Sequence, residues 1–151
     1  MSGLGRILLA DDDPNDVELT LAALAQNNLA NEVVVARDGA EALDFLQGRG
    51  RFADRSGENP AVVLLDIKMP KVDGLEVLRR VRQDPNLRAI PVVMLTSSRE
   101  DKDVVESYHL GVNAYVVKPV DFRAFIDAVK NLGLFWAVLN QPPPGSARRT
   151  P

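Results

Sequence analysis

The chain has 151 residues, 26% charged and 46% hydrophobic, with 21 acidic side chains against 18 basic ones and a formal net charge of −3. This is ordinary composition for one globular domain, and a net acidic chain lacks the overall basic field with which nucleic-acid binders grip phosphates. There is no Cys and a single His, which excludes disulfides, thiolate nucleophiles, Cys-ligated zinc and a self-contained multi-His metal site. The apolar run Ile7–Ala10 is too short for a signal-peptide core. The longest strongly apolar stretch, Leu132–Leu139, is too short for a membrane span. A soluble, cytoplasmic protein with no membrane and no nucleic-acid partner is the expectation.

In chain order, Arg6–Ala10 predicts a first strand. Val17, Leu21 and Leu24 follow at i, i+4 and i+7, the spacing of a helix, and Asp13 before Pro14 reads as its cap. Glu32–Ala36 predicts a second strand, and Ala42, Leu43 and Leu46 a second helix. The connection Gly48–Pro60 is polar, Gly-rich and longer than the roughly two to six residues usual for such loops. Val62–Asp66 predicts a third strand, and Val77, Leu78 and Val81 a helix that ends by Pro85. Pro91–Thr96 is a fourth strand. Val104, Val105 and Tyr108 mark a fourth helix, with His109 at its surface near the end. Ala114–Val117 is a fifth strand, and Phe122, Phe125, Ile126, Val129 and Leu132 mark a fifth helix capped by Asp121. Residues 5–140 form the expected domain. The stretch 141–151 contains four prolines and reads as an extended, disordered tail. Five βα units with continuous apolar strands imply a doubly wound parallel α/β sheet rather than an antiparallel α+β one.

Ligands of such sheets bind beyond the carboxyl ends of the strands. There the first strand leads into Asp11, Asp12 and Asp13, the third into Asp66, the fourth into Thr96, and the fifth into Lys118 and Pro119. Carboxylates gathered together repel unless a cation neutralises them. Mg²⁺ prefers hard oxygen ligands and often shares its shell with a phosphate. A carboxylate can also act as a nucleophile toward phosphorus, while a cation and a Lys stabilise the charge on the transferring group. Each residue alone is most often a cap or a turn. The combination suits acceptance of a phosphoryl group by an Asp.

The segments Ile7–Asp13, Leu64–Pro70 with Asp73 and Gly74, Pro91–Thr96 and Ala114–Pro119 resemble, in order and spacing, the receiver domain of two-component response regulators. The resemblance runs from about Arg6 to about Leu132. It implies a flavodoxin-like (βα)5 fold with strand order 2-1-3-4-5, and a phosphoacceptor signalling protein rather than an enzyme. By position it implies Asp66 as the phosphoacceptor, Asp12 as a direct Mg²⁺ ligand and Asp11 as the holder of a metal-bound water. The backbone carbonyl of Lys68 completes the metal ligands, and Asp66 itself is one of them. Lys118 pairs with the phosphoryl group, ahead of a Lys118–Pro119 bond that is cis in the family. Gly74 closes the loop after the third strand, with a positive φ as the expected reason for glycine. Thr96 and Tyr115 resemble the switch pair that couples phosphorylation to a surface change. Lys68 and Ser98 occupy positions that tune phosphate lifetime.

The resemblance leaves no residues for an output domain. The long loop Gly48–Pro60 and the apolar Leu132–Leu139 before Pro142–Pro144 are similar to stand-alone regulators paired with phytochrome-type histidine kinases. A sensor histidine kinase is thus the expected partner. Leu134, Phe135, Trp136, Val138 and Leu139 cannot all face one side of a helix, which points to a homodimer through the fifth helix and Leu134–Leu139. The alternatives are a phosphorelay intermediate that passes phosphate to a second histidine protein, and a phosphate-independent interaction module. A turnover phosphatase would need an acid where Lys68 stands. A nucleotide or flavin binder would need a phosphate loop where the three aspartates stand.

Overall fold

The computed structural model describes residues 6–26, 32–53, 59–97 and 100–118. The expected fifth helix with its Asp121 cap, the Leu134–Leu139 region, the tail 141–151, Ser98 and Pro119 lie outside the described residues.

The elements are β1 (Ile7–Ala10), α1 (Pro14–Gln26), β2 (Val33–Ala36), α2 (Gly39–Gln47), β3 (Val62–Leu65), α3 (Gly74–Gln83), β4 (Val92–Thr96), α4 (Asp101–His109) and β5 (Ala114–Val117). The strands form one parallel sheet in the order β2-β1-β3-β4-β5. The doubly wound parallel arrangement and the order 2-1-3-4-5 are therefore as the sequence implied.

Strand residues alternate between two apolar layers, because successive side chains of a strand point to opposite faces. Leu8, Ala10, Val63, Leu65, Val92 and Met94 pack with α2 and α3 through Leu43, Phe45, Val77, Leu78 and Val81. Ile7, Leu9, Val62, Leu64, Val93, Leu95 and Val116 face the other side, where Val17 and Leu24 of α1 cover them. Each large aliphatic side chain fully buried this way contributes about 1.5–3 kcal/mol. Helix starts are set by side chains. Asp38 and Asp73 cap α2 and α3 by accepting from the Glu41 and Glu76 amides, at 2.7 and 2.9 Å. Asp13 accepts from the Asn15 amide at 2.9 Å, and Pro14 takes the first helical position of α1.

Three features differ from the sequence reading. α4 exists, but two of its three apolar marks are turned outward: Val105 is 66% and Tyr108 52% exposed and Val104 is half-buried, while Asp103 and Ser107 are the buried positions. The connection after α2 is not wholly irregular. Gly50–Phe52 form a 3₁₀ turn that sets the Phe52 ring edge-on against Phe45, 5.1 Å between centroids. Gly74 does not have a positive φ; in the loop between β3 and α3 that conformation belongs to Lys71, at +69°. Gly74 is required for a different reason. A Cβ there would lie 2.0 Å from the Asp66 carbonyl oxygen.

Candidate functional site

The parallel ladder continues one residue past the strands and fixes the backbone of the site. The Asp11 amide donates to the Ala36 carbonyl at 3.0 Å, the Asp66 amide to the Ala10 carbonyl at 3.0 Å, and the Lys118 amide to the Thr96 carbonyl at 2.9 Å. Asp11, Asp66 and Lys118 are in phase with Leu9, Leu64 and Val116, the residues that face α1. Strand alternation thus directs three residues from three separate strand ends toward the same side.

There the Lys118 ammonium donates to Asp11 Oδ2 at 2.6 Å, to Asp16 Oδ2 at 3.0 Å and to Asp66 Oδ2 at 3.2 Å. The other oxygens of the two strand-end aspartates are also held. Asp66 Oδ1 accepts from the Ile67 amide at 2.8 Å, and Asp11 Oδ1 from the Asp13 amide at 3.0 Å. Asp11, Asp66 and Lys118 are all buried, and Asp12 is exposed. Burial pushes the Asp11 carboxyl above the usual aspartate range despite its bonds to Lys118 and the Asp13 amide, and the neighbouring Asp66 adds to the rise. Burial acts against the charge on Lys118 too. Its hydrogen bonds to Asp11 and Asp16 and the negative charges of Asp66 and Asp11 outweigh it, and the ammonium is held well above the ordinary lysine range. Lys118 is therefore a permanent cation at neutral pH.

One carboxylate oxygen from each of Asp11, Asp12 and Asp66 lies within 4.8 Å of the other two. Three hard, anionic oxygens so close fit a divalent cation such as Mg²⁺ or Mn²⁺, which bind carboxylates and retain waters. The cluster faces a cleft of about 440 Å³ whose lining includes Asp12, Asp13, Asp16, Asp66, Lys68 and Glu100. Lys68 reaches across the rim, its Nζ 3.7 Å from Glu100 and its side chain 70% exposed.

Thr96 ends β4 and is buried. It is in phase with Val92 and Met94, on the sheet face that carries α2 and α3. Tyr115 pairs in register with Met94, and its half-buried ring packs against the same apolar layer. The two expected switch residues thus share a sheet face, opposite to that of Lys118. His109 is the exposed last residue of α4. The sequence reading missed Asp16. An acid in the first turn of a helix ordinarily complements the helix dipole, and nothing local marks it as a partner of a residue 102 positions away.

A family model for the response regulator receiver domain matches residues 7–130. Response regulator Rcp1 of Synechocystis is 38% identical over 130 residues, 86% of this chain and 87% of that protein. Its Mn²⁺-bound crystal structure superposes with a TM-score of 0.72 at 37% identity, over 88% of this chain and 94% of that one. The bacteriophytochrome response regulator RtBRR is 63% identical, with a TM-score of 0.82 over 96% of this chain and 87% of that one. The phosphorylated cyanobacterial phytochrome response regulator RcpA is 39% identical, with a TM-score of 0.74 over 88% of this chain and 94% of that one. Among the described residues, no helix is long and apolar enough to cross a membrane. With the strand order, the acidic cluster and the Lys at the fifth strand end all in agreement, the chain belongs to the response regulator receiver domain family.

Proposed function

We propose that this protein is a stand-alone response regulator that accepts a phosphoryl group on Asp66 from a sensor histidine kinase of the phytochrome type. The observation that carries the reading is the buried Lys118 ammonium held between Asp11 and Asp66 beside the three-carboxylate cluster. The named relatives that are phytochrome response regulators support the kinase class.

Asp66 acts as the nucleophile. Its carboxylate oxygen bonds to phosphorus, the bond from phosphorus to the donor's histidine nitrogen breaks, and the electron pair leaves with that nitrogen. The Ile67 amide bond to Asp66 Oδ1 fixes the carboxylate plane. Lys118 places a full positive charge beside Asp66 where negative charge gathers on the transferring oxygens. Asp11, Asp12, Asp66 and the Lys68 carbonyl are the groups that would hold Mg²⁺, which supplies charge neutralisation to the phosphoryl oxygens. Thr96 then bonds a phosphoryl oxygen, and the Tyr115 ring moves further into the layer it already packs on. Lys68 and Ser98 modulate the hydrolysis of the product. The domain spans residues 5–140 with 141–151 as a tail. The protein works in the cytoplasm and dimerises through the fifth helix and Leu134–Leu139.

Intact mass after incubation with acetyl phosphate and Mg²⁺ tests the reading. A gain of one phosphoryl group is expected, absent in Asp66→Asn and after chelation. No gain in the unaltered protein under any of these conditions would leave the fold intact and overturn the function.

A further inference from the structure

Resting on the phosphoacceptor reading, we propose that Asp16 is a positioning residue acting through Lys118: it competes for the ammonium with the phosphoryl oxygens on Asp66, and so biases the site toward its resting form. A lysine ammonium has three N–H donors and no more. Here all three meet carboxylates, those of Asp11, Asp16 and Asp66. The Lys118 side chain is 6% exposed, which leaves little room for water to stand in for a lost partner. Phosphoryl oxygens arriving at Asp66 therefore compete with carboxylates for the ammonium.

The Asp66 carboxylate gives up its charge on becoming an acyl phosphate, and burial decides which of the other two yields. The Asp11 side chain is 1% exposed, and separation from the cation would strand a buried charge. The Asp16 side chain is 35% exposed and belongs to the first turn of α1 rather than to a strand end. Water can take over its oxygen at small cost. Asp16 is also outside the group of three carboxylates that could hold a metal. Its removal should therefore act on the anion that Lys118 binds and not improve the cation site.

Beryllofluoride, a mimic of the phosphoryl group, separates these effects. The full chain is titrated with it at saturating Mg²⁺ and followed by ¹⁹F NMR, and Mg²⁺ binding alone is measured by calorimetry. Asp16→Ala should tighten beryllofluoride binding about 5-fold, the scale of one partly solvated charge-assisted hydrogen bond, with no tightening of Mg²⁺. Asp16→Asn, which keeps the shape and an uncharged acceptor, should give a smaller gain and serves if the alanine variant fails to fold. Glu100→Gln removes one charge from the same cleft and should give a smaller gain than Asp16→Ala. Unchanged or weaker beryllofluoride binding in both Asp16 variants would overturn the inference. An equal gain in Glu100→Gln would overturn it too, by assigning the effect to bulk charge. Failure of the unaltered protein to bind beryllofluoride would overturn the phosphoacceptor reading itself.

Discussion

A methyl group at residue 74 has nowhere to go. Its carbon would stand 2.0 Å from the Asp66 carbonyl oxygen and 2.9 Å from Ile67 Cα, backbone atoms of the loop that presents the acceptor. Gly48 is the opposite case, with a φ of +66° and nothing within 4 Å of an added Cβ. Gly48→Ala should cost about 1 kcal/mol, the penalty of the left-handed conformation alone. Gly74→Ala should cost about 2–4 kcal/mol, because the backbone itself must shift. Urea unfolding of the two variants compares them, and equal costs would show that the loop yields freely. A glycine in a loop suggests positive φ from sequence, and here that inference named the right residue for the wrong reason. Close approach of two backbones is a tertiary fact that no local pattern carries. Nor does anything in a lysine announce the φ of +69° at Lys71, where Nζ lies 3.5 Å from Asp38 Oδ2.

The two fully buried positions of α4, Asp103 and Ser107, are polar, while Val105 and Tyr108 are exposed, so apolar contact contributes less to its docking than it does for α2 or α3. The Ser107 hydroxyl on α4 and the Thr20 hydroxyl on α1 are buried and have no hydrogen-bond partner among the described residues. A buried hydroxyl with no partner forfeits its hydration for nothing in return. Ser107→Ala and Thr20→Val should each raise stability by about 1 kcal/mol in chemical denaturation. The Thr20→Val result is the cleaner one, since shape and helix propensity barely change, and a loss of stability there would mean that the hydroxyl has a partner in solution. α3 shows ordinary electrostatics at its start. Hydrogen bonds from Arg79 and Arg80 hold the Glu76 carboxyl at about 2, below its usual 4.5. A depressed acid stabilises the fold above its unfolded pKa and loses that contribution as pH falls from about 4.5 toward 2. The pair is on the surface, so its worth is about 0.5 kcal/mol. Glu76→Gln should be less stable than the parent by that amount at pH 7, with the gap closing by pH 2. A gap that stays constant with pH would exclude the ion pairs as its source. All nine of the described α-helices and strands lie where periodicity placed them, and the 3₁₀ turn Gly50–Phe52 is the addition. The orientation of α4 was not legible, because Val105 and Tyr108 mark a helix equally well whichever way it turns.

At the scale of the whole molecule, function follows from where a parallel sheet ends. Every strand runs the same way, so the acids after β1 and β3, the Thr at the end of β4 and the Lys after β5 are carried to one edge. This part of the site was legible, since it needs only strand ends and alternation. The Asp16 contact was not, because it depends on how α1 lies across the sheet. The edge that results is electrically unbalanced. Asp11, Asp12 and Asp66 bring three negative charges, and Lys118 returns one. Burial raises the Asp11 carboxyl, so its charge is costly in the folded chain and a divalent cation relieves that cost. Binding to the folded state alone stabilises it by about 2.7 kcal/mol at a ligand concentration one hundred times Kd. For a chain of this size that corresponds to a rise in Tm of about 5–10 °C. Thermal unfolding in Mg²⁺ and in chelator should show that difference. Asp12→Asn removes a ligand from the exposed side of the cluster, so the Mg²⁺-dependent shift should collapse. In chelator the same variant should unfold no earlier than the parent, because it also removes a like charge. High salt should narrow the metal-free difference by screening the exposed Asp12. A parent Tm indifferent to Mg²⁺ would mean that the three carboxylates do not act as a cation site. Preservation of the full shift in Asp12→Asn would instead move the cation to Asp11 and Asp66.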